Sequence, residues 1–383
     1  MANLSDIVTP SNVLTVDNTK TVTNKTIDTA NNTLVIAGED ITTGTVGTAR
    51  LATGTADSTT YLRGDGTWSA AGLNYFTDAE DATGINSSVP VNALIVANAG
   101  ANVDAALSPK GAGAVLAQIP DATTTGGDKR GTNAVDWQTS RTTNAQVASG
   151  TYSTILGGRN NTASGNTATA GGYQNTASGN YTSAGGFLCT ATGTGTTAFG
   201  YIASAASSYA TAFGQNPRAD GSYSTVVGAY GDARVRYNVF VVGTASIAGA
   251  MGTCQMSMQQ VGSTTTDATP TNLSGTYSVN TYQYQNRMDV NTAYAFKIML
   301  VAGVTGAGDT KAWELTGCIK RGASGVPTLV GAVTKTVIAA DTGAATWDCD
   351  IVINTDAFTV QATGQAATTI RWSASIYSSE LEF

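Results

Sequence analysis

Carboxylates are the residues of this chain whose chemistry could be catalytic. The 383 residues contain no histidine, so Ser-His-Asp and Cys-His arrangements and histidine-based zinc sites are excluded. Two carboxylates about 5 to 9.5 Å apart can cleave a glycosidic bond without histidine. The candidates lie near the C-terminus: Asp309, Glu314, Asp341, Asp348 and Asp350. Asp309 and Asp341 stand in turn-like sequences beside glycines. We expect turn or solvated positions for all five, no cofactor, no metal and no enzymatic activity.

Other short motifs carry little functional signal. The segment GGDKRGTN at 126–133 lacks the spacing of a phosphate-binding loop, and a net charge of −7 argues against nucleic acid as a partner. Arg63-Gly64-Asp65 lies in a turn sequence, LRGDGTW, and the acceptor sequences at Asn24 and Asn180 fit solvated coil surfaces. The four cysteines are far apart. Their spacing allows four free thiols or a bridge between Cys318 and Cys349.

A fixed period of 14 residues organises the middle of the chain. The principal glycines recur at this interval: Gly158, Gly172, Gly186, Gly200, Gly214 and Gly228. A second set lies seven residues later, at Gly165, Gly179, Gly193 and Gly221, with Ser207 in the remaining place. A small apolar residue stands two positions before each principal glycine: Leu156, Ala170, Ala184, Ala198, Ala212 and Val226.

So short a period predicts a β-roll, in which each coil has two short strands and two tight turns. Glycine is needed at a corner that requires a positive φ or a close backbone approach. No charged residue lies between Arg159 and Arg218, and each coil has too small an interior to be stable alone. We therefore expect three rolls to pack as a homotrimer, with Ala, Phe and Val positions facing a shared interior.

The GG-N-TASG repeat resembles the head repeats of trimeric autotransporter adhesins, which form trimers of left-handed parallel β-rolls. The flanking segments are similar to bacteriophage tail fibres: 21–42, 47–68, 107–141 and 266–383. With the roll, which tail fibres also use, this resemblance covers most of the chain. The order of the segments favours the tail-fibre family. A bacterial adhesin is the weaker alternative, because no secretion signal, coiled-coil stalk or membrane anchor is evident.

The predicted fold class is all-β, in an elongated homotrimer of four segments. Residues 1–72 are expected to form a Thr-rich virion-docking arm and shaft, 73–142 a small β connector, and 143–245 the roll. Residues 246–383 are expected to form an antiparallel β-sandwich tip, because apolar and polar residues alternate along several long segments. Phe296, Ile298 and Leu300, for example, alternate with Lys297 and Met299.

Aromatic residues supply the candidate contacts. Tyr173, Phe187 and Tyr201 follow principal glycines, while Tyr181, Tyr209 and Tyr223 precede them by five positions. Stacked tyrosines could bind sugars, although packing within or between rolls is the favoured interpretation. In the tip, the candidates for receptor contact are Tyr282, Tyr284, Arg287 and Trp347. Core packing is the simpler interpretation of every tryptophan.

The resemblance implies a phage tail fibre that is assembled in the bacterial cytoplasm and becomes part of the virion tail. Its N-terminus would bind tail or baseplate proteins, and its tip would bind a host polysaccharide or outer-membrane protein through multivalent contacts. The alternative is a purely structural connecting or decorating fibre with no receptor site.

Overall fold

A computed structural model describes residues 107–383 except 248–249, 275–284 and 307, together with four strands nearer the N-terminus. These four strands belong to a separate unit, residues 1–106. Within it, β1 (Thr60–Leu62) pairs with β2 (Trp68–Ala70), and β3 (Phe76–Asp81) pairs with β4 (Val91–Val96), both antiparallel. Most of the predicted docking arm, including Asn24 and the Arg63-Gly64-Asp65 motif, lies outside the described residues.

A parallel β-solenoid follows, and it confirms the predicted β-roll. It begins with β5 (Val115–Leu116) and β6 (Val135–Asp136). One side is built from longer strands: β7 (Thr154–Arg159), β9 (Thr169–Tyr173), β11 (Ser183–Phe187), β13 (Thr197–Tyr201), β15 (Thr211–Gln215) and β17 (Thr225–Ala229). The other side has two-residue strands: β8 (Thr162–Ala163), β10 (Thr176–Ala177), β12 (Thr190–Ala191), β14 (Ser204–Ala205) and β16 (Arg218–Ala219). Successive coils pair in register, as Ala184 does with Ala198.

Alanine fills the inside of each coil. Ala170, Ala184, Ala198, Ala212 and Val226 are at most 2% exposed within a single chain. The expectation that these positions face an interior shared by three rolls is therefore wrong, because each roll encloses its own. Leu156 departs from the pattern and is 68% exposed, where the pairing of β7 with β9 shifts register between Ile155 and Gly158.

Buried amides tie the first coils together. The Asn161 side-chain nitrogen donates to the carbonyl oxygens of Gly157 and Gly172, at 3.0 and 2.8 Å. The backbone N–H of Asn175 donates to Asn161 Oδ1 at 3.0 Å, and that of Cys189 donates to Asn175 Oδ1 at 2.8 Å. Each amide therefore bonds to the next coil, which satisfies polar groups that would otherwise be buried without partners.

The principal glycines occupy corners that other residues fit poorly. All six have φ between 87° and 131°, a region that L-residues with a Cβ rarely adopt. A Cβ on Gly172 would also overlap the carbonyl oxygen of Gly186 in the next coil. Its neighbour Gly171 differs, because a Cβ there would make only ordinary contacts with Leu156, at 3.5 Å. Both reasons for glycine, conformation and close approach, thus apply at the same corner.

The sheet of the roll continues without a break into the tip. β18 (Val239–Ala245) is parallel to β17 and antiparallel to β19 (Cys254–Thr265). The long antiparallel strands then follow in the spatial order β19, β28 (Ile370–Glu382), β22 (Thr292–Val304) and β23 (Thr310–Arg321), with β24 (Thr328–Leu329) and β25 (Thr334–Ala340) beside β23. A second sheet has β27 (Ala357–Thr363) at its centre, paired with β20 (Thr271–Asn272), β21 (Asn286–Arg287) and β26 (Asp348–Ile353). In the described part of the chain the helical content is one 3-10 turn, Thr342–Ala344.

One apolar cluster in the tip draws residues from both sheets. The rings of Trp313 and Trp372 stack at 5.7 Å between centroids, and Trp347 lies 6.2 Å from Trp372. Phe296 of the long sheet stacks on Phe358 of the smaller one at 5.2 Å. All four cysteines of the chain are free.

A buried charge cluster joins the roll to the tip. The guanidinium of Arg236, from the last coil, donates to both carboxylate oxygens of Glu380 in β28, at 2.5 and 3.1 Å. Glu380 also accepts from the Ser257 hydroxyl and from Gln255 Nε2. Burial acts to raise the pKa of Glu380, but Arg236 and these hydrogen bonds outweigh it, and the pKa lies below its usual range. Glu380 is therefore a carboxylate at neutral pH.

Alanine substitutions at adjacent glycines test the stacking. We expect Gly172→Ala to lower the free energy of unfolding by about 3 kcal/mol, because it combines a left-handed backbone with an overlap between coils. Gly171→Ala is the matched control and should change stability by about 1 kcal/mol or less. Chemical denaturation measures both, and equal effects would contradict this explanation of the period.

Removing the charge of Glu380 tests the junction. Glu380→Gln leaves Arg236 buried without its counterion, so we expect a loss of about 3 to 5 kcal/mol at pH 7. The pKa of Glu380 is lower in the folded than in the unfolded state. Its contribution to the free energy of unfolding is therefore fully present at pH values above the unfolded-state pKa, and it is lost as the pH falls through the folded-state pKa. The difference in the free energy of unfolding between the wild type and Glu380→Gln should therefore become smaller as the pH is lowered. Glu314→Gln, in the exposed ion pair with Lys297 at 2.9 Å, should change stability by about 1 kcal/mol or less. If this difference in the free energy of unfolding stayed the same from pH 7 to pH 2, Glu380 would not be a buried carboxylate paired with Arg236.

Candidate functional site

The predicted receptor contacts of the tip are not brought together in the described residues. Trp347 is 1% exposed, and its indole N–H donates to Gln365 Oε1 at 3.1 Å, so it lies in the core rather than on the surface. Arg287 is half-exposed and pairs with Asp356 at 3.1 Å. Tyr282 and Tyr284 lie outside the described residues.

The candidate carboxylates have local partners. Lys335 Nζ donates to Asp348 and Asp350, at 2.8 and 3.0 Å. Partial burial opposes ionisation of Asp348, but the hydrogen bond from Lys335 prevails and holds its pKa below the usual value. Asp341 accepts the backbone N–H of Thr310 at 2.8 Å. In the described residues no group of three or more histidine, cysteine, aspartate or glutamate side chains could hold a metal ion.

An apolar column runs along the outer face of the long sheet. Sequence analysis expected Phe and Val positions to face other rolls but did not identify this line of residues. We define it as Leu156, Phe199, Phe213, Val227, Val242 and Met256, which lie in successive or nearby strands. Leu156, Phe199, Phe213 and Met256 are 68%, 38%, 59% and 51% exposed. The sequence signal was available, because Phe199, Phe213 and Val227 each stand one residue before a principal glycine.

Two glycines interrupt the apolar column, and a second row of exposed apolar side chains lies beside it. Gly171 and Gly185 take the two places between Leu156 and Phe199, which leaves a depression of about 410 Å³ lined by these four residues and their neighbours. Next to the column, Phe240, Met258 and Tyr377 form a second exposed row across β18, β19 and β28. Exposed apolar surface that extends over several neighbouring strands is typical of an interaction site.

The first set of aromatic residues forms a stack of parallel rings, which we call the ladder. Tyr173, Phe187 and Tyr201 stack at 5.1 and 5.0 Å between centroids, with interplanar angles of 13° and 4°. The Arg159 guanidinium lies 4.8 Å from the Tyr173 centroid and covers that end. Both faces of Tyr173 and Phe187 are therefore covered, and Tyr201 has one face against Phe187. This arrangement suits packing along the roll better than sugar stacking.

The second set stands at the opposite corner of the coils, in an unusual backbone conformation. Tyr152, Tyr181, Tyr209 and Tyr223, which we call the tyrosine row, have φ between 56° and 59°. Bulky residues rarely adopt this left-handed region, and each costs about 1 to 3 kcal/mol there. All four are 54% to 66% exposed. The sequence analysis did not include Tyr152, because it departs from the 14-residue period. It lies 15 residues before Thr167, the left-handed residue at the same corner of the next coil.

Comparisons with known proteins give no family. No protein-family model matches the chain, and no curated protein matches it. Among solved structures, the chain is similar to the tailspike protein gp49 of Acinetobacter baumannii bacteriophage Fri1, described as a capsular polysaccharide depolymerase, at 11% identity and a TM-score of 0.20. It is also similar to the tailspike protein of Acinetobacter phage vB_ApiP_P1, at 10% identity and a TM-score of 0.16. The matches cover 69% and 67% of this chain but only 44% and 55% of those chains.

The comparison corrects one prediction. We expected no enzymatic activity, and this is contradicted by a structural neighbour that is described as a depolymerase. The likeness is weak, so that activity is stated of the neighbour alone. In the described residues no helix is long and apolar enough to cross a membrane.

Proposed function

We propose that the chain is the subunit of a homotrimeric phage tail fibre that attaches the virion to a bacterial surface glycan or protein. Residues 1–72 dock on tail or baseplate proteins, the roll is a rigid spacer, and the two sheets of residues 246–383 form a sandwich-like tip that contacts the host. The fibre assembles in the host cytoplasm and is part of the virion tail. The tail-fibre-like order of segments along the sequence supports this assignment.

The observation that carries the proposal is the apolar column. A chain that folds alone in water rarely leaves Leu156, Phe199 and Phe213 exposed on one uncharged face. The column continues into the tip through Val242 and Met256, so one interface can hold both parts. Three copies around an axis parallel to the roll would bury it in every protomer.

Trimeric assembly suits attachment because it multiplies weak contacts. Three identical sites on one rigid axis can raise avidity about 10²- to 10⁴-fold over a single site without any new contact. The largely uncharged roll adds little non-specific attraction for charged surfaces. Multivalency thus explains how individually weak contacts could hold a virion on a cell.

A charge placed in the apolar column tests the assembly. We expect wild-type protein to sediment as a trimer and Phe213→Asp to sediment as a monomer, because the column would bury an unpaired carboxylate. Thr192→Asp is the matched control, since Thr192 is exposed on the short-strand side of a coil, and it should remain a trimer. Analytical ultracentrifugation measures all three. A monomeric wild type would contradict the proposal.

Binding to cells tests the attachment function. Fluorescently labelled full-length trimer should adsorb saturably to some bacterial strains of a panel and not to others, because recognition is specific to the host surface. Flow cytometry measures the adsorption. A trimer that adsorbs to no strain bearing a receptor for the parent phage would instead support a purely structural fibre.

A further inference from the structure

The coils give the tyrosine row a position where other residues would fit more easily. Each coil has one left-handed residue at this corner, and in the coils between the tyrosines it is Thr167 or Gly195. Glycine and asparagine adopt this conformation with least strain. The fold therefore requires the conformation but not tyrosine, so the repeated tyrosine has another explanation.

Packing within the chain does not supply that explanation. The tyrosine side chains are more than half exposed, and no hydrogen bond joins their hydroxyls to another described residue. The left-handed residues of the other corner differ, since Leu188 is half-buried and Ile202 is only 37% exposed. Bulky left-handed residues at that corner rest partly on the roll. Among the tyrosines, the Tyr209 ring lies against Gly195, where a Cβ would come within 2.8 Å of it, whereas no such packing contact is found for Tyr152 or Tyr181 in the described residues.

The spacing of the row leaves aromatic surface uncovered. Thr167 separates Tyr152 from Tyr181 and Gly195 separates Tyr181 from Tyr209, so these rings are two coils apart, about 9.6 Å at the usual strand spacing. In the described residues neither Tyr152 nor Tyr181 stacks on another ring. Only Tyr209 and Tyr223 stack, at 5.1 Å. Tyr152 and Tyr181 thus have ring faces that no other aromatic ring covers.

The surroundings define the chemistry of a ligand. The residues that precede the left-handed positions are polar and uncharged: Asn166, Asn180, Thr194, Ser208 and Ser222. No charged residue lies between Arg159 and Arg218, so a phosphate or sulfate group beside Tyr181 or Tyr209 would find no cation in the neighbouring sequence. Aromatic faces beside amides and hydroxyls match a sugar ring, which has apolar C–H faces and a polar rim. A regular spacing along one line fits a linear polymer.

We propose that Tyr152, Tyr181, Tyr209 and Tyr223 form a binding row for an uncharged polysaccharide that lies along the roll. The proposal rests on the attachment function and places a glycan contact on the spacer as well as at the tip. The free faces of Tyr152 and Tyr181 bind sugar faces, the exposed edges of Tyr209 and Tyr223 extend the contact, and the preceding amides and hydroxyls bind sugar hydroxyls. The strained backbone is retained because it presents the rings to solvent.

Substitution by asparagine separates binding from folding. Asparagine suits the left-handed corner better than tyrosine, so the double variant Tyr152→Asn/Tyr181→Asn should keep or raise the melting temperature. Full-length protein is applied to an array of purified capsular and O-antigen polysaccharides. We expect the wild type to bind at least one uncharged polysaccharide and the double variant to lose about tenfold or more in affinity, since each stacking contact contributes substantially.

Tyr201→Asn is the matched control, because Tyr201 is 48% exposed but belongs to the ladder, and it should bind as the wild type does. Equal binding by the double variant and the wild type would overturn the proposal, as would a wild type that binds no polysaccharide on the array. Loss of the trimer in the double variant would show that the row is a contact between copies, which also overturns it. Adsorption to cells is measured separately, so these failures leave the attachment function standing.

Discussion

The distance between stacked coils is the constraint on which the rest of this molecule depends. Backbones approach so closely at the principal glycines that a Cβ on Gly172 would meet the carbonyl of Gly186, and the φ values there exclude most residues. Close stacking also leaves little interior volume, which alanines fill. A roll so thin buries few large side chains within itself. Its largest apolar side chains therefore lie outside, in the column that includes Phe199 and Phe213.

Charges are confined to the two ends of the roll, where they terminate the stack. At the start, Asp136 is fully buried between Arg130 and Arg141, at 2.7 and 3.3 Å. At the other end, Arg236 meets Glu380 of the tip. Buried pairs contribute little net stability but are strongly destabilising when one partner is lost. Their positions at the two ends resemble those of the polar caps that close other repeat proteins.

The sequence predicted those parts of the fold that repeat. The glycine period identified the parallel roll, because one residue type at one interval leaves few alternatives. The period did not reveal that the alanines face the interior of their own roll, since a small residue fits on either face of a strand. Nor did it reveal the extra residue near Leu156. In the tip, alternation identified the buried face of β22, and core packing was already the simpler interpretation of Trp347, although the strands that cover it are distant in sequence.

The candidate surfaces were less predictable than the fold. The apolar column was visible at its own 14-residue interval, yet glycines in two of its places hid it. The tyrosine row was noticed as a spacing, but its left-handed backbone and free ring faces are properties of stacked coils. The ladder of Tyr173, Phe187 and Tyr201 looked equivalent in sequence, although its three rings stack on one another in the structure.

Electron cryomicroscopy of the full-length protein tests the central claim most directly. The account predicts threefold symmetry about an axis parallel to the roll, with Phe199 and Phe213 of three protomers facing that axis and the tyrosine row facing solvent. A reconstruction in which the apolar column faces solvent would contradict it.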